Sequence, residues 1–128
     1  MQKIFVILFL LFLPQSISAK TLFPEADYQN IWCSLHNGIS EYKNTDKTRV
    51  DCLTKTHAVE FDFAKKWAES VGQAEYYALM TGKRGMVVLI IENPEEIKYL
   101  KKVQALSKLH DFDVDYVTPK ILFLKDKN

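Results

Sequence analysis

Glycine and proline are scarce in this chain of 128 residues, four of each, and cysteine occurs only twice. It contains no glycine-rich phosphate loop, no Cys/His zinc spacing and no nucleophile-elbow motif. P-loop chemistry, zinc-stapled folding and α/β-hydrolase acyl transfer therefore have nothing to rest on. His36, His57 and His110 stand without ligand or triad spacing. Repeats, low-complexity tracts and internal linkers are missing. Net charge is missing too: apart from Lys3, the only charged residue before Lys20, sixteen basic residues face sixteen acidic ones. A neutral domain exerts no global pull on DNA or RNA. A local basic surface is still open to Lys65, Lys66, Lys83, Arg84, Lys98, Lys101 and Lys102, although for Lys98, Lys101 and Lys102 a plain solvated face is the simpler reading.

No apolar run is long enough to span a bilayer, which takes about 20 residues. Ile4–Leu13 is a short apolar core, preceded by Lys3 and followed by the small and polar Pro14–Ala19. This is the pattern of a secretory signal peptide cut after Ala19. With no cysteine at the cut, a lipid anchor is not expected. Residues 20–128 then form one small domain in a secreted or periplasmic setting. An even cysteine count there predicts a Cys33–Cys52 disulfide. Such a bond is worth about 2–4 kcal/mol and would pin the first helix beneath a strand.

Periodicity divides the domain into α and β elements. Glu25–Leu35 reads as a helix with Tyr28, Ile31, Trp32 and Leu35 on one face, stopped by Gly38. Ile39–Lys43, Thr48–Leu53 and Ala58–Phe63 read as strands, and Lys65–Thr81 as a helix closed by Gly82. The continuous apolar run Met86–Ile91 predicts a strand buried on both faces. Asn93-Pro94-Glu95-Glu96 is a helix start, with the helix running to about Leu109. Asp113–Val117 and Ile121–Leu124 are expected as further strands. The order is αβββαβ with one αβ extension, an α/β domain with a mixed sheet.

The chemistry concentrates in Arg49–Tyr77. If Thr54 and His57 close a tight hairpin around Lys55-Thr56, Asp51 lies across from Glu60, and Arg49 from Asp62. Alternation then sends Val50, Cys52, Val59, Phe61 and Phe63 to the core and Asp51, Glu60 and Asp62 to the other face. Like charges placed opposite one another are destabilising, so a bound cation is a natural compensator. Lys55-Thr56 is not a favoured two-residue turn. On the helix, Lys66, Glu69 or Ser70, Gln73 and Tyr77 form one stripe, beside an apolar stripe of Trp67, Val71, Ala74 and Ala78.

Over Glu41–Glu92 this constellation resembles the PD-(D/E)XK phosphodiesterase superfamily, the restriction-endonuclease-like fold. It is most similar to branches that carry a Gln-x-x-x-Tyr helix, as RecB-type nucleases do. The resemblance implies an exported nuclease-like hydrolase of DNA or RNA that uses Mg²⁺ or Mn²⁺. Asp51 and Glu60 would hold the metal, with a main-chain carbonyl near Phe61, and Asp62 is a further candidate ligand. Lys66 would act on water, with Lys65 as the fallback, because Asp62 occupies the usual lysine position and lysine migration onto the following helix occurs in the superfamily. Gln73 and Tyr77 would orient the lysine or touch nucleic-acid backbone. Glu25, on the first helix, and Glu41, on the first strand, are weaker candidates, read more simply as surface residues.

Each of these has a plainer reading. Asp51 and Glu60 could be solvated residues on an open hairpin face, Asp62 the cross-strand partner of Arg49, and Lys66 a surface lysine. Gln73 and Tyr77 could border the core. The alternative to an enzyme is a non-catalytic binding or interaction module on the same fold.

Overall fold

The computed structural model describes residues 20–127. The expected signal peptide lies outside the described residues. No described helix is long and apolar enough to cross a membrane.

The chain forms α1 (Glu25–Leu35), β1 (Ile39–Lys43), β2 (Arg49–Leu53), β3 (His57–Phe63), α2 (Trp67–Thr81), β4 (Arg84–Ile90), α3 (Ile97–Ser107) and β5 (Phe112–Val117). Short 3₁₀ turns at Ala64–Lys66 and Pro94–Glu96 lead into α2 and α3. The five strands make one sheet in chain order, β1-β2-β3-β4-β5. The first two pairings are antiparallel and the last two parallel, so the sheet is mixed, as expected.

Strand alternation divides the core between the two faces of the sheet. On the α1 face Tyr28, Trp32, Val59, Phe61, Val88, Ile90 and the two cysteines form one buried cluster. On the α2/α3 face Ala64, Ala74, Val87, Leu89, Leu100, Val103 and Phe112 form the other. β4 supplies both, which is why Met86–Ile90 within it is an unbroken apolar run. Helix α2 approaches the sheet closely at Gly85, where a Cβ would meet the carbonyl oxygen of Ala74 at 3.0 Å. Asn93 and Glu96 form the reciprocal capping box that starts the α3 segment.

The β2–β3 hairpin takes the expected register, with Cys52 opposite Val59 and Leu53 opposite Ala58. The turn compensates for its unfavoured sequence with side chains. Thr54 Oγ1 accepts from the amides of His57 (2.9 Å) and Thr56 (3.3 Å), and Lys83 Nζ donates to the carbonyls of Thr54 and Lys55. Cys33 and Cys52 are bonded, with Cα atoms 5.7 Å apart, tying α1 to β2.

Three expectations are corrected. Ile121–Leu124 is not a strand but part of a 3₁₀ helix, Pro119–Lys127. Pro119 has no N–H to give a ladder and sets a helical φ, and Ile121 and Leu122 pack onto the α1-face core. Leu35, expected on the buried face of α1, is 48% exposed because the helix ends there. Gly38 is not the left-handed stop of α1, since that conformation falls to Asn37 (φ 53°). Gly38 is needed for another reason: a Cβ there would land on the sulfurs of both cysteines.

Candidate functional site

Asp51, Glu60 and Asp62 share one face of the β2–β3 pair, as alternation requires. Glu60 and Asp62 are only 4% and 6% exposed, far more buried than a solvated hairpin face would leave them. Beyond the Cys52–Val59 pair, the Asp51 side chain does the work of the ladder. Its Oδ2 accepts from the amide of Phe61 at 2.7 Å. The carboxyl groups of Asp51 and Glu60 are close enough for each to shift the other. Glu60 Oε2 is left buried without any partner.

Burial dominates the electrostatics. It pushes the Glu60 carboxyl up to about 10, reinforced by the neighbouring Asp51, Asp62 and Glu25. Asp51 is raised mainly by its own burial, against the lowering effect of the Phe61 amide. Asp62 rises to about 6, again first through burial, and the positive charge of Lys66 holds it from going further. Tyr77 rises to about 12 because it is desolvated and because Glu60 and Asp51 are near. Its hydroxyl is therefore neutral at physiological pH and can donate a hydrogen bond.

The structure brings in two residues that the sequence favoured as surface. Glu25, at the first turn of α1, is half-buried. Its carboxyl is raised to about 7 by desolvation and by the fields of Asp62 and Asp51. Glu41 lies opposite Asp51 on the edge strand, between the pairs Ser40–Cys52 and Tyr42–Val50. It adopts a φ of 55°, which is unusual for a residue with a side chain in a strand. Its Oε1 accepts from Gln29 Nε2 at 2.9 Å, and the same amide donates to the carbonyl of Asp51 at 2.7 Å. Gln29, 3% exposed, thus fastens α1 to both acid-bearing strands. No sequence signal singled it out: a glutamine on a helix is ordinarily solvated, and only the packing of α1 across β1 and β2 buries it.

The pairing of Arg49 with Asp62 is not made. Arg49 lies 3.9 Å from Glu41 instead, because β2 and β3 do not stay paired as far as Arg49. Asp62 Oδ1 accepts from the amide of Phe63 at 2.9 Å. Lys66 is exposed, and its charge is felt by Asp62 and Glu25. Lys65 is exposed as well. Of the Gln-x-x-x-Tyr pair, Tyr77 borders the carboxyl group cluster, whereas Gln73, one turn earlier on α2, is exposed.

The donor set is all oxygen, which suits a hard divalent cation, and the partnerless Glu60 Oε2 is an open coordinating atom. Among the described residues, no three His, Cys, Asp or Glu side chains are already gathered into a coordinating group. Asp51 and Asp62 instead accept from the main-chain amides of Phe61 and Phe63. A cleft of about 460 Å³ lies elsewhere, between α1 and the C-terminal turn, lined by Phe23, Ile31, Leu35, Leu122 and Leu124 among others. It contains none of these acids.

No protein-family model matches the chain. No curated protein and no solved structure matches it either.

Proposed function

We propose that this protein is a metal-dependent phosphodiester hydrolase built on a restriction-endonuclease-like core and acting outside the reducing cytoplasm. The observation that carries the reading is Glu60: a buried carboxyl with an unpartnered oxygen, crowded by Asp51, Asp62 and Glu25. A buried group of that kind is costly unless something compensates it, and a cation is the compensator that an all-oxygen cluster accepts. The αβββαβ order with the acids on its second and third strands supports the fold assignment. The Cys33–Cys52 bond supports an oxidising setting.

Asp51 and Glu60 would hold Mg²⁺ or Mn²⁺, with Asp62 a third carboxylate within the same cluster. The bound ion supplies a Lewis acid for the phosphoryl oxygen and makes water more acidic. Lys66, free of any partner that neutralises it among the described residues, orients the attacking water from the Asp62 side. Tyr77 offers a neutral hydroxyl donor to the same space. Gln73, in solvent beside it, is placed to meet the substrate rather than Lys66.

The test is titration calorimetry of residues 20–128 with Mg²⁺ and Mn²⁺, alongside cleavage assays on single- and double-stranded DNA and RNA. Cleavage that chelator stops, with Asp51→Ala and Glu60→Ala each inactive and Lys66→Ala inactive but still binding metal, is the expected result. Absence of both metal binding and cleavage would leave the non-catalytic binding module, the reading that Asp62 at the usual lysine position favours.

A further inference from the structure

Charge is unevenly placed on this neutral chain. The turn Ala64–Lys66 and the stretch 97–108 carry Lys65, Lys66, Lys98, Lys101, Lys102 and Lys108 without one acidic residue. The α3 segment packs against both that turn and α2, so these lysines belong to one side of the molecule. Lys98, Lys101 and Lys102 share the solvent face of α3, opposite the buried Leu100 and Val103.

The lysines are also held in place. Lys102 Nζ sits 5.1 Å above the ring of Trp67 and 5.8 Å from that of Tyr99, and Lys98 Nζ sits 5.1 Å above Tyr99. Trp67 is the residue after Lys66, so the ammonium groups continue away from the acidic cluster along an aromatic support. The remaining cations of the earlier list are committed elsewhere. Lys83 ties the hairpin turn, and Arg84 is held by Asp111 and Asp113. Of the nearby acids, Glu96 caps its own turn, whereas Glu69 and Glu95 are exposed.

A centre of several carboxylates repels a polyanion, so a phosphodiester substrate needs positive charge beside the acids. We infer that the Lys98–Lys101–Lys102 face, supported by Trp67 and Tyr99, is the track for the phosphate backbone of a nucleic acid whose scissile bond lies at Asp51 and Glu60. The inference rests on the hydrolase reading for its direction but not for its test. With one side of each ring covered by a lysine, the surface reads phosphates rather than bases. Binding is therefore salt-dependent and indifferent to sequence.

The experiment measures binding of a fluorescein-labelled 20-nucleotide strand to residues 20–128 in chelator, across a salt series, for wild type and for Lys98→Gln/Lys101→Gln/Lys102→Gln. The triple variant should lower the slope of log K against log[salt] by about 2–3, the value for three lost phosphate contacts. It should keep its thermal transition and, where the hydrolase reading holds, its cleavage of bis(p-nitrophenyl) phosphate, a substrate too small to use the track. Equal slopes for the two proteins, or no strand binding by wild type, overturn the inference. Binding to anionic phosphatidylglycerol vesicles but not to the strand does so as well and assigns the face to a membrane. Failure of the hydrolase reading appears separately, as wild type that neither binds metal nor cleaves the small diester.

Discussion

Asp51 Oδ2 stands 2.7 Å from the amide nitrogen of Phe61, a side chain filling a place in the sheet that a main-chain carbonyl would normally hold. The residue thus serves structure and site together, and two substitutions separate the roles. Asp51→Ala leaves the Phe61 amide unsatisfied and should cost about 1–3 kcal/mol in urea melts. Asp51→Asn keeps an acceptor and relieves Glu60 of a like charge, so it should be at least as stable as wild type. Both should lose divalent-cation affinity in calorimetry. Equal stability losses would show that the hydrogen bond is not the structural part.

Acidity at the site gives the folded chain a pH dependence of definite sign. Glu60, Glu25 and Asp62 are raised to about 10, about 7 and about 6, whereas in the unfolded chain carboxyls ionise near ~4. Above that value the folded state binds more protons than the unfolded one, so stability falls as pH rises. Asp113, lowered to about 2 mainly by Arg84, acts in the opposite sense, and its contribution disappears only below pH ~4. Metal-free protein should therefore be most stable near pH ~4–5 and lose on the order of a few kcal/mol by pH ~8. Glu60→Gln should flatten much of that decline. A wild-type melting temperature that rises between those pH values would contradict the burial of Glu60.

The clamp formed by Gln29 is open to a two-sided test. Gln29→Ala frees both the Asp51 carbonyl and Glu41 and should destabilise by about 1–3 kcal/mol. At Glu41 the positive φ favours glycine, so Glu41→Gly should exceed Glu41→Ala in stability by about 1–2 kcal/mol. Both Glu41 variants should bind Mn²⁺ more weakly than wild type, since each removes a carboxylate whose field reaches Asp51 and Glu25. Affinity then falls in both Glu41 variants while their stabilities differ, an outcome that general loosening of the edge strand would not produce.

Gly38 lies against the disulfide so closely that any side chain must displace it. Gly38→Ala should cost about 1–3 kcal/mol by overpacking. Loss of the bond through Cys33→Ser/Cys52→Ser should cost about 2–4 kcal/mol. In the double-serine background the alanine should be better tolerated, because the sulfurs it strikes are gone. A double-mutant cycle on urea midpoints reads this coupling directly, and strict additivity would refute the contact.

Much of the fold was legible because local patterns and tertiary needs agree in it. The alternation of β2 and β3 separated acids from core residues, the apolar run of β4 predicted two-sided burial, and two cysteines in one small domain left a single pairing. The C-terminal segment misled because Ile121, Leu122, Phe123 and Leu124 are apolar enough for a strand, while Pro119 and packing onto the α1-face core decided otherwise. At the site, the positions of Asp51, Glu60 and Asp62 followed from period two. The contributions of Glu25, Glu41 and Gln29 did not, because they depend on the way α1 lies across β1 and β2 and on a left-handed residue that no rule places at a glutamate. Arg49 paired with Glu41 rather than Asp62 for a related reason: strand pairing ended before it reached them.

A sheet whose spatial order repeats its order along the chain never has to open for a later strand to enter. Each new strand finds its neighbour already present, so the sheet can be laid down progressively from its first edge as the polypeptide emerges. On that route the hairpin closes while Glu60 and Asp62 are still hydrated and free to stay ionised. Their transfer out of water is deferred until the fifteen residues of α2 fold back over β3. The desolvation of Glu60 and Asp62 thus falls to helix docking, after the strands that position the acids are in place.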